Sequence, residues 1–525
     1  MPDESDSANS SSQSGKVISL RGHQAAEQVV DDLLSVGRSD PRFISLTAKA
    51  FSLGAPLLSA VARRLDTDRP KELLLLSEVA GRYPGRGQAV RTLIRAANDR
   101  RASDTRRLGA ALALGMHDYG VILPPLHDFL GGLSSPASVF ASALMSALDD
   151  YSHSTAPQEW EPLFALFLSQ PPEVLFSVIG ALGEVRRADI SGTTSVLQLL
   201  ALNSHPDVMA AAVEALMGQT DEASVRALAT LQPNLPADMG HLVGRQLQKL
   251  RLSGIYDPSP SNGSPPGIQA RLSAVDGRGR CLLSLAQEDK SRVIELILSD
   301  TQGIIDAALN PVTQAEGGTG SIRHPLYGEQ ASHRGSLVVV PIGYTLDLLR
   351  RVVRSNWLSG TGLPVAYLLE CGAIWEAARE IGDSQEEAAP DLPGADQLAS
   401  SEDESALLSS SSFTDWYLDT PATHLAAHEI AVSTGGLSSK ITDENWRILL
   451  PSIIRLAHDE FVPEQRALYA NRLRMMADWL YFGGQHTQSS LAASAAHTMT
   501  HSPPEANLFV LRLVQKGILV ALTQL

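Results

Sequence analysis

Lysine is scarce in this chain of 525 residues: 7 of its 42 basic residues are Lys and the other 35 are Arg, a bias that points to a GC-rich prokaryotic genome. Cysteine occurs twice, as Cys281 and Cys371. Two thiols are too few for a disulfide framework in a chain of this length, so a reducing compartment is expected. Aromatic residues make up 5%. No run of about 18 apolar residues escapes a charge, a proline or a glycine, which excludes a membrane-spanning helix. Nothing at the Met1 end has a basic region followed by an apolar core, and the expected location is therefore cytoplasmic. Also missing are a Gly-x-Ser-x-Gly elbow, a zinc quartet and the kinase signature set. No catalytic residue, metal ligand or cofactor-binding residue is nominated, and the expectation is a non-catalytic protein.

What is present is acid, and it is unevenly spread. The net charge is −16, and no Lys or Arg occurs from 380 through 439, where twelve Asp and Glu lie among Ser, Pro and Ala. Such a composition reads as a solvated linker over 381–412. The first 16 residues, acidic and rich in serine, read as a disordered tail. With 44% hydrophobic residues the remainder suffices for a sizeable core.

Helix-start signals recur through the N-terminal half: Asp40-Pro41, Arg69-Pro70, Ser103-Asp104, Ser135-Pro136, Pro171-Pro172, His205-Pro206-Asp207 and Leu235-Pro236, at a mean interval of about 32.5 residues. Proline suits the first helical turn, where its missing N–H has no intrahelical partner, and Ser or Asp can cap the free donors. After a mark comes an apolar stretch, a polar break and a second apolar stretch, as in Val208–Met217, Thr220-Asp221-Glu222 and Val225–Leu231. Val208, Ala212, Ala215 and Leu216 form one stripe, which a lone pair of helices cannot bury, so the pairs must stack.

Two of these units, Pro172-Glu173-Val174 to Leu182 and Pro206-Asp207-Val208 to Leu216, match at an offset of 34 residues. They resemble HEAT repeats, which are armadillo-like, of the short bacterial kind also found in bilin lyases. Leu175 and Met209 stand where that family places Arg after the valine. The resemblance covers about 40–252. It implies an α-solenoid with a concave binding face, hence a scaffold for a protein partner. It also implies two alternatives: a bilin lyase or isomerase acting on a tetrapyrrole and an acceptor protein, and a DNA-binding or repair protein of the HEAT-like glycosylase kind.

Ser253 to Gly267, rich in Pro, Gly and Ser, marks a boundary. Beyond it, 269–275, 281–286 and 292–299 read as strands of a small antiparallel sheet, with Asp276-Gly277-Arg278-Gly279 as a tight turn. Val338–Pro341 adds a short strand before a helix from Thr345 to Trp357. Helices return at 445–457, 463–481, 487–500 and 505–523. The expected class is mainly α. In order, it comprises a tail at 1–16, a helical array at 17–252, a linker at 253–267, a small α+β domain at 268–380, an acidic linker at 381–412 and a helical domain at 413–525.

The candidate partner-binding residues are Arg82, Arg86, Arg91, Arg95, Arg100, Arg101, Arg106 and Arg107. Against Asp99 and Asp104 they leave +6 in 26 residues of an acidic chain. Arg91 and Arg95, four apart, share a helical face able to meet carboxylates or phosphates. The overall −16, the few aromatics and the scarcity of Lys weigh against nucleic acid and for a protein partner. His424 and His428 have a metal-binding spacing, but Leu425 stands where a zinc peptidase has Glu, and no third ligand is evident. They read as a surface pair, as do His497 and His501. Gly317-Gly318-Thr319-Gly320-Ser321 has no lysine after it and reads as a loop; Cys281 and Cys371 read as buried and inert.

Overall fold

The computed structural model describes residues 8–36, 42–67, 69–117, 128, 136–154, 157–185, 189–255, 268–287, 292–311, 337–382, 400–433 and 443–524. The chain divides into two compact units, Met1–Pro258 and Ser259–Leu525. It is mostly helical: 21 α-helices are present among the described residues, with one antiparallel sheet of five strands. Among those residues no single helix is long and apolar enough to cross a membrane.

In the first unit the marks that fall on described residues stand at helix starts, and Asp40-Pro41 lies outside those residues. The helices are α1 (Ala8–Val36), α2 (Arg42–Phe51), α3 (Ala55–Arg64), α4 (Pro70–Gly81), α5 (Arg86–Ala97), α6 (Asp104–Gly115) and α7 (Pro136–Ser152). They continue as α8 (Glu161–Leu168), α9 (Pro172–Val185), α10 (Ile190–Leu200), α11 (Pro206–Met217), α12 (Glu222–Leu231) and α13 (Ala237–Leu252). Pro70 and Pro206 occupy first-turn positions, and the side chains of Ser103, Asp189 and Asp221 cap α6, α10 and α12. These caps satisfy donors that a helix start otherwise leaves orphaned.

Helices pack on their immediate neighbours, as α11 on α12, and on the next but one, as α4 on α6, α9 on α11 and α10 on α12. Along α11 the buried stripe is Val208, Ala212, Val213 and Leu216, with Ala215 only half-buried. Each large side chain so placed contributes about 1.5–3 kcal/mol. The tail expected at 1–16 is corrected from Ala8 onward, where α1 has begun. Downstream its stripe Ala26, Val29, Val30 and Leu33 is buried, and α1 packs on α2 and α3. Once such a helix is nucleated, propagation into adjoining residues adds a hydrogen bond for each residue fixed.

The second unit begins with the sheet. Its strands are β1 (Ile268–Leu272), β2 (Arg280–Gln287), β3 (Arg292–Ser299), β4 (Gly303–Pro311) and β5 (Val338–Val340), in the order β4-β3-β2-β1-β5. Ala270 faces Leu285 and Leu283 faces Leu296 in register. Cys281, Leu282, Leu283, Ser284 and Leu285 are all buried, so β2 is covered on both faces, which is why it reads as an apolar run and not as an alternation. The β1–β2 turn closes with Gly279 N–H donating to the Asp276 carbonyl at 2.9 Å, and Gly279 holds φ 79°, a left-handed conformation that glycine adopts without strain.

Helices α14 (Ile342–Ser359) and α15 (Val365–Gly382) pack on β4 and β1. Buried Asn356 of α14 clips the β4 edge: its Oδ1 accepts from Ile304 N–H at 2.7 Å and its Nδ2 donates to the Ile304 carbonyl at 3.0 Å. Next come α16 (Ser401–Ala406), α17 (Pro421–Ser433), α18 (Asp443–Glu460), α19 (Pro463–Phe482), α20 (His486–His501) and α21 (Leu508–Thr523). Gly483-Gly484 stops α19, with Gln485 N–H returning to the Leu480 carbonyl at 2.8 Å.

Two expectations for this half are corrected. The acidic linker does not extend through 400–412. Ser400 caps α16, buried Glu404 accepts from Ser494 Oγ at 2.6 Å and Thr498 Oγ1 at 2.8 Å, and Lys516 donates to the Phe413 carbonyl at 2.7 Å. Leu407, Leu408 and Phe413 are buried beside these polar contacts. Nor do 268–380 and 413–525 form separate bodies, because α19 packs on β5 and supplies side chains to the β1–β2 turn.

Candidate functional site

The eight nominated arginines fall into three groups. Arg106 and Arg107 stand in the first turn of α6, and both turn back into the fold. Arg106 Nε donates to the Ala62 carbonyl of α3 at 2.9 Å, and buried Arg107 donates from Nε to the Ala97 carbonyl of α5 at 3.1 Å. These two neutralise the carbonyl ends of earlier helices and are removed from the partner-binding set. Arg82, at the C-cap of α4, is bonded to Glu78 one turn back at 2.5 Å.

The remaining five are exposed: Arg86, Arg91 and Arg95 on α5, and Arg100 and Arg101 in the turn that follows. None makes an ion pair or a side-chain hydrogen bond among the described residues. Ala89, Val90, Leu93, Ala96 and Ala97 bury the opposite side of α5. Arg91 and Arg95 thus stand one turn apart on its outward side, about 6 Å along the axis.

A contrast lies on the neighbouring helix. Arg63 and Arg64, at the end of α3, are met by carboxylates of α1. Arg63 Nε donates to Glu27 Oε1 at 2.8 Å, and Arg64 reaches Asp31 and, at 3.5 Å, Glu27. Glu27 and Asp31 are four residues apart on one helix. Sequence reasoning missed this quartet because its partners lie 33 and 36 residues apart, although the pattern of paired charges on two helical segments was there to find.

Further polar contacts link the helices of the first unit. Asn203 Nδ2 donates to the Leu168 carbonyl at 3.1 Å, Gln246 Nε2 to the Met217 carbonyl at 2.9 Å, and Gln198 Nε2 to Thr230 Oγ1 at 2.8 Å. Carbonyls at the ends of α8 and α11 gain donors in this way. An open depression of about 510 Å³ is lined by Ile190, Thr220, Asp221, Glu222, Gly254 and Ile255.

In the second unit the polar residues gather where α19 meets the β1–β2 turn. Arg472 donates to Asp300 from Nε at 2.6 Å and to the Gly277 carbonyl from Nη1 at 2.7 Å, and stacks 4.8 Å from the Tyr469 ring. Arg472 and Asp300 side chains are each 7% exposed. Burial pushes Asp276 and Asp300 above the usual carboxylate range, with Arg472 pulling both back. Trp479 donates to the Leu272 carbonyl at 3.0 Å and Trp416 to that of Val275 at 2.8 Å. Asp478, buried near Tyr344 and Arg351, is pushed up to about 6 by desolvation.

The other nominated groups are placed as follows. His424 Nε2 lies 3.0 Å from Asp419 Oδ1, and His424 together with Arg278 holds Asp419 below its ordinary range. His428 is exposed, and the rings of His497 and His501 stack at 4.1 Å. Among the described residues no three His, Cys, Asp or Glu come together as a metal site. The Gly317–Ser321 loop lies outside the described residues. Cys281 and Cys371 are buried, and burial pushes each thiol up to about 12. At pH 8 the native protein should therefore leave both thiols unmodified by an aromatic disulfide reagent, and guanidinium should release both. Rapid native labelling of either would contradict their burial.

Compared with protein-family models, with curated proteins and with solved structures, the chain matches none.

Proposed function

We propose that this chain is a non-catalytic interaction scaffold, in which the helices of the first unit stack as a HEAT-like α-solenoid and a protein partner is bound through the arginine face of α5. The observation that carries the reading is the division among the arginines. Arg106 and Arg107 serve the fold, Arg63 and Arg64 are neutralised by α1, and Arg86, Arg91, Arg95, Arg100 and Arg101 stay exposed and without carboxylate partners among the described residues. Five uncompensated guanidinium groups on one helix and its following turn, in a chain of net charge −16, mark a place where a foreign carboxylate is favourable. Each charge-assisted bond that forms there contributes about 1.5–3 kcal/mol.

The test is a double charge reversal, Arg91→Glu with Arg95→Glu, in tagged protein purified gently from its own host. Both side chains point away from the core, so the helical circular dichroism should be unchanged. Recovery of a stoichiometric partner should fall about tenfold or more. Undiminished recovery would remove α5 as the binding face. A nuclease-sensitive excess absorbance at 260 nm in the purified protein would replace the protein partner with a nucleic acid.

A further inference from the structure

The quartet on α1 and α3 shows how this fold satisfies arginines on a helix of the first unit. There a second helix lies against α3 and presents Glu27 and Asp31, four residues apart, to Arg63 and Arg64. Helix α3 packs directly on α5, whose Arg91 and Arg95 are exposed and face no such carboxylates among the described residues. Gly87 precedes Arg91 by one turn, and a Cβ there would lie 3.7 Å from Arg91 Nη1.

We propose that the partner segment taken by α5 is itself a helix bearing carboxylates four residues apart, matched to arginines that on α5 also stand four apart, whereas those α1 meets on α3 are adjacent. The inference rests on the arginine-face reading above and adds the shape and chemistry of what is bound. Two helices whose charged residues both recur every four positions share a rise of about 6 Å between charges, so two carboxylates meet two guanidinium groups at once. Each guanidinium can then take its carboxylate through two parallel N–H donors, a geometry that a lysine ammonium does not offer. An extended acidic segment comes near that rise only with carboxylates two residues apart, about 6.6–6.8 Å, so a spacing of four against two separates the helical from the extended partner.

The experiment uses the full chain and two fluorescent, end-capped alanine-based peptides of identical composition. One has glutamates every four residues and the other has them two apart. Binding is followed by anisotropy at about 50 mM and about 300 mM NaCl, where screening separates a charge contact from an apolar one. The four-spaced peptide should bind about tenfold more tightly than its permutation, and Arg91→Glu/Arg95→Glu should abolish that difference. Arg91→Lys/Arg95→Lys, which keeps the charge, should lose most of it.

Equal affinity for the two peptides, or full retention by the lysine variant, overturns the helical match. So does tighter binding of a single-stranded oligonucleotide than of either peptide, which assigns the face to phosphate. If the charge reversal releases the host partner while the peptides bind alike, the binding face stands and the acidic helix falls. If it changes neither, both readings fall together.

Discussion

Replacing Arg472 by alanine should cost the second unit about 3–5 kcal/mol, the range found when one member of a buried ion pair is removed. The guanidinium holds Asp300 through two nitrogens, at 2.6 and 3.4 Å, and reaches across to the Gly277 carbonyl. Its removal leaves the Asp300 carboxyl buried without its ion-pair partner, and it takes from α19 its hydrogen bond to the β1–β2 turn. Against a typical domain stability of about 5–15 kcal/mol the loss is large. Urea unfolding followed by tryptophan fluorescence reads it well. Of the six tryptophans only Trp160 lies in the first unit, so the signal is mainly that of the second. Adding Asp300→Ala should return part of the loss, because the stranded charge goes with it. A cost under about 1 kcal/mol for Arg472→Ala would mean that water reaches and solvates the pair.

That contact also marks where the sequence stops being informative. Helix starts were legible because their signals are local: a proline at the first turn or a capping Ser or Asp acts within three residues, and the six marks that fall on described residues stand at helix starts. Strands β1 to β3 and the Asp276–Gly279 turn were legible for the same reason. Strand β4 was not. Gly303-Ile304-Ile305-Asp306-Ala307-Ala308-Leu309 has two adjacent isoleucines and two alanines, and no alternation that separates it from a loop or a helix end.

Residues 400–412 misled for a different reason. Their composition is that of a solvated segment, and what folds them comes from Ser494, Thr498 and Lys516, about 90 to 110 residues away. Among the candidate site residues, exposure of Arg91 and Arg95 follows from their place opposite the apolar stripe of α5. The inward turn of Arg106 and Arg107 does not, since it depends on where the carbonyls of Ala62 and Ala97 end up. Long-range partners of charged residues are the part of a fold that local composition carries least.

Acid should strengthen the second unit, and Asp478 supplies the largest resolved share. Asp478 is 9% exposed, and burial lifts its carboxyl to about 6, against the pull of the Tyr344 hydroxyl and of Arg351 toward ionisation. An unfolded chain holds the same group near ~3.9. Between those values the folded state binds more protons, so stability falls as pH rises through about 6 and is fully present below ~4. Two units of difference correspond to roughly 3 kcal/mol as an upper bound. Asp276 and Asp300 are also raised, chiefly by burial, and act in the same direction. Asp419 is lowered by His424 and Arg278, so its contribution is lost only as pH falls below the ordinary carboxylate range, and it is half-exposed and small. The expected melting temperature of the second unit is therefore higher at pH 5 than at pH 8. Asp478→Asn, which keeps the shape and removes the titration, should raise the pH 8 value by several degrees and the pH 5 value by about half as much, flattening the profile between them. A variant with the same slope as the parent would show that Asp478 ionises in the folded chain as it does in water. The remaining slope would then belong to the pair of aspartates around Arg472, whose own replacement tests it.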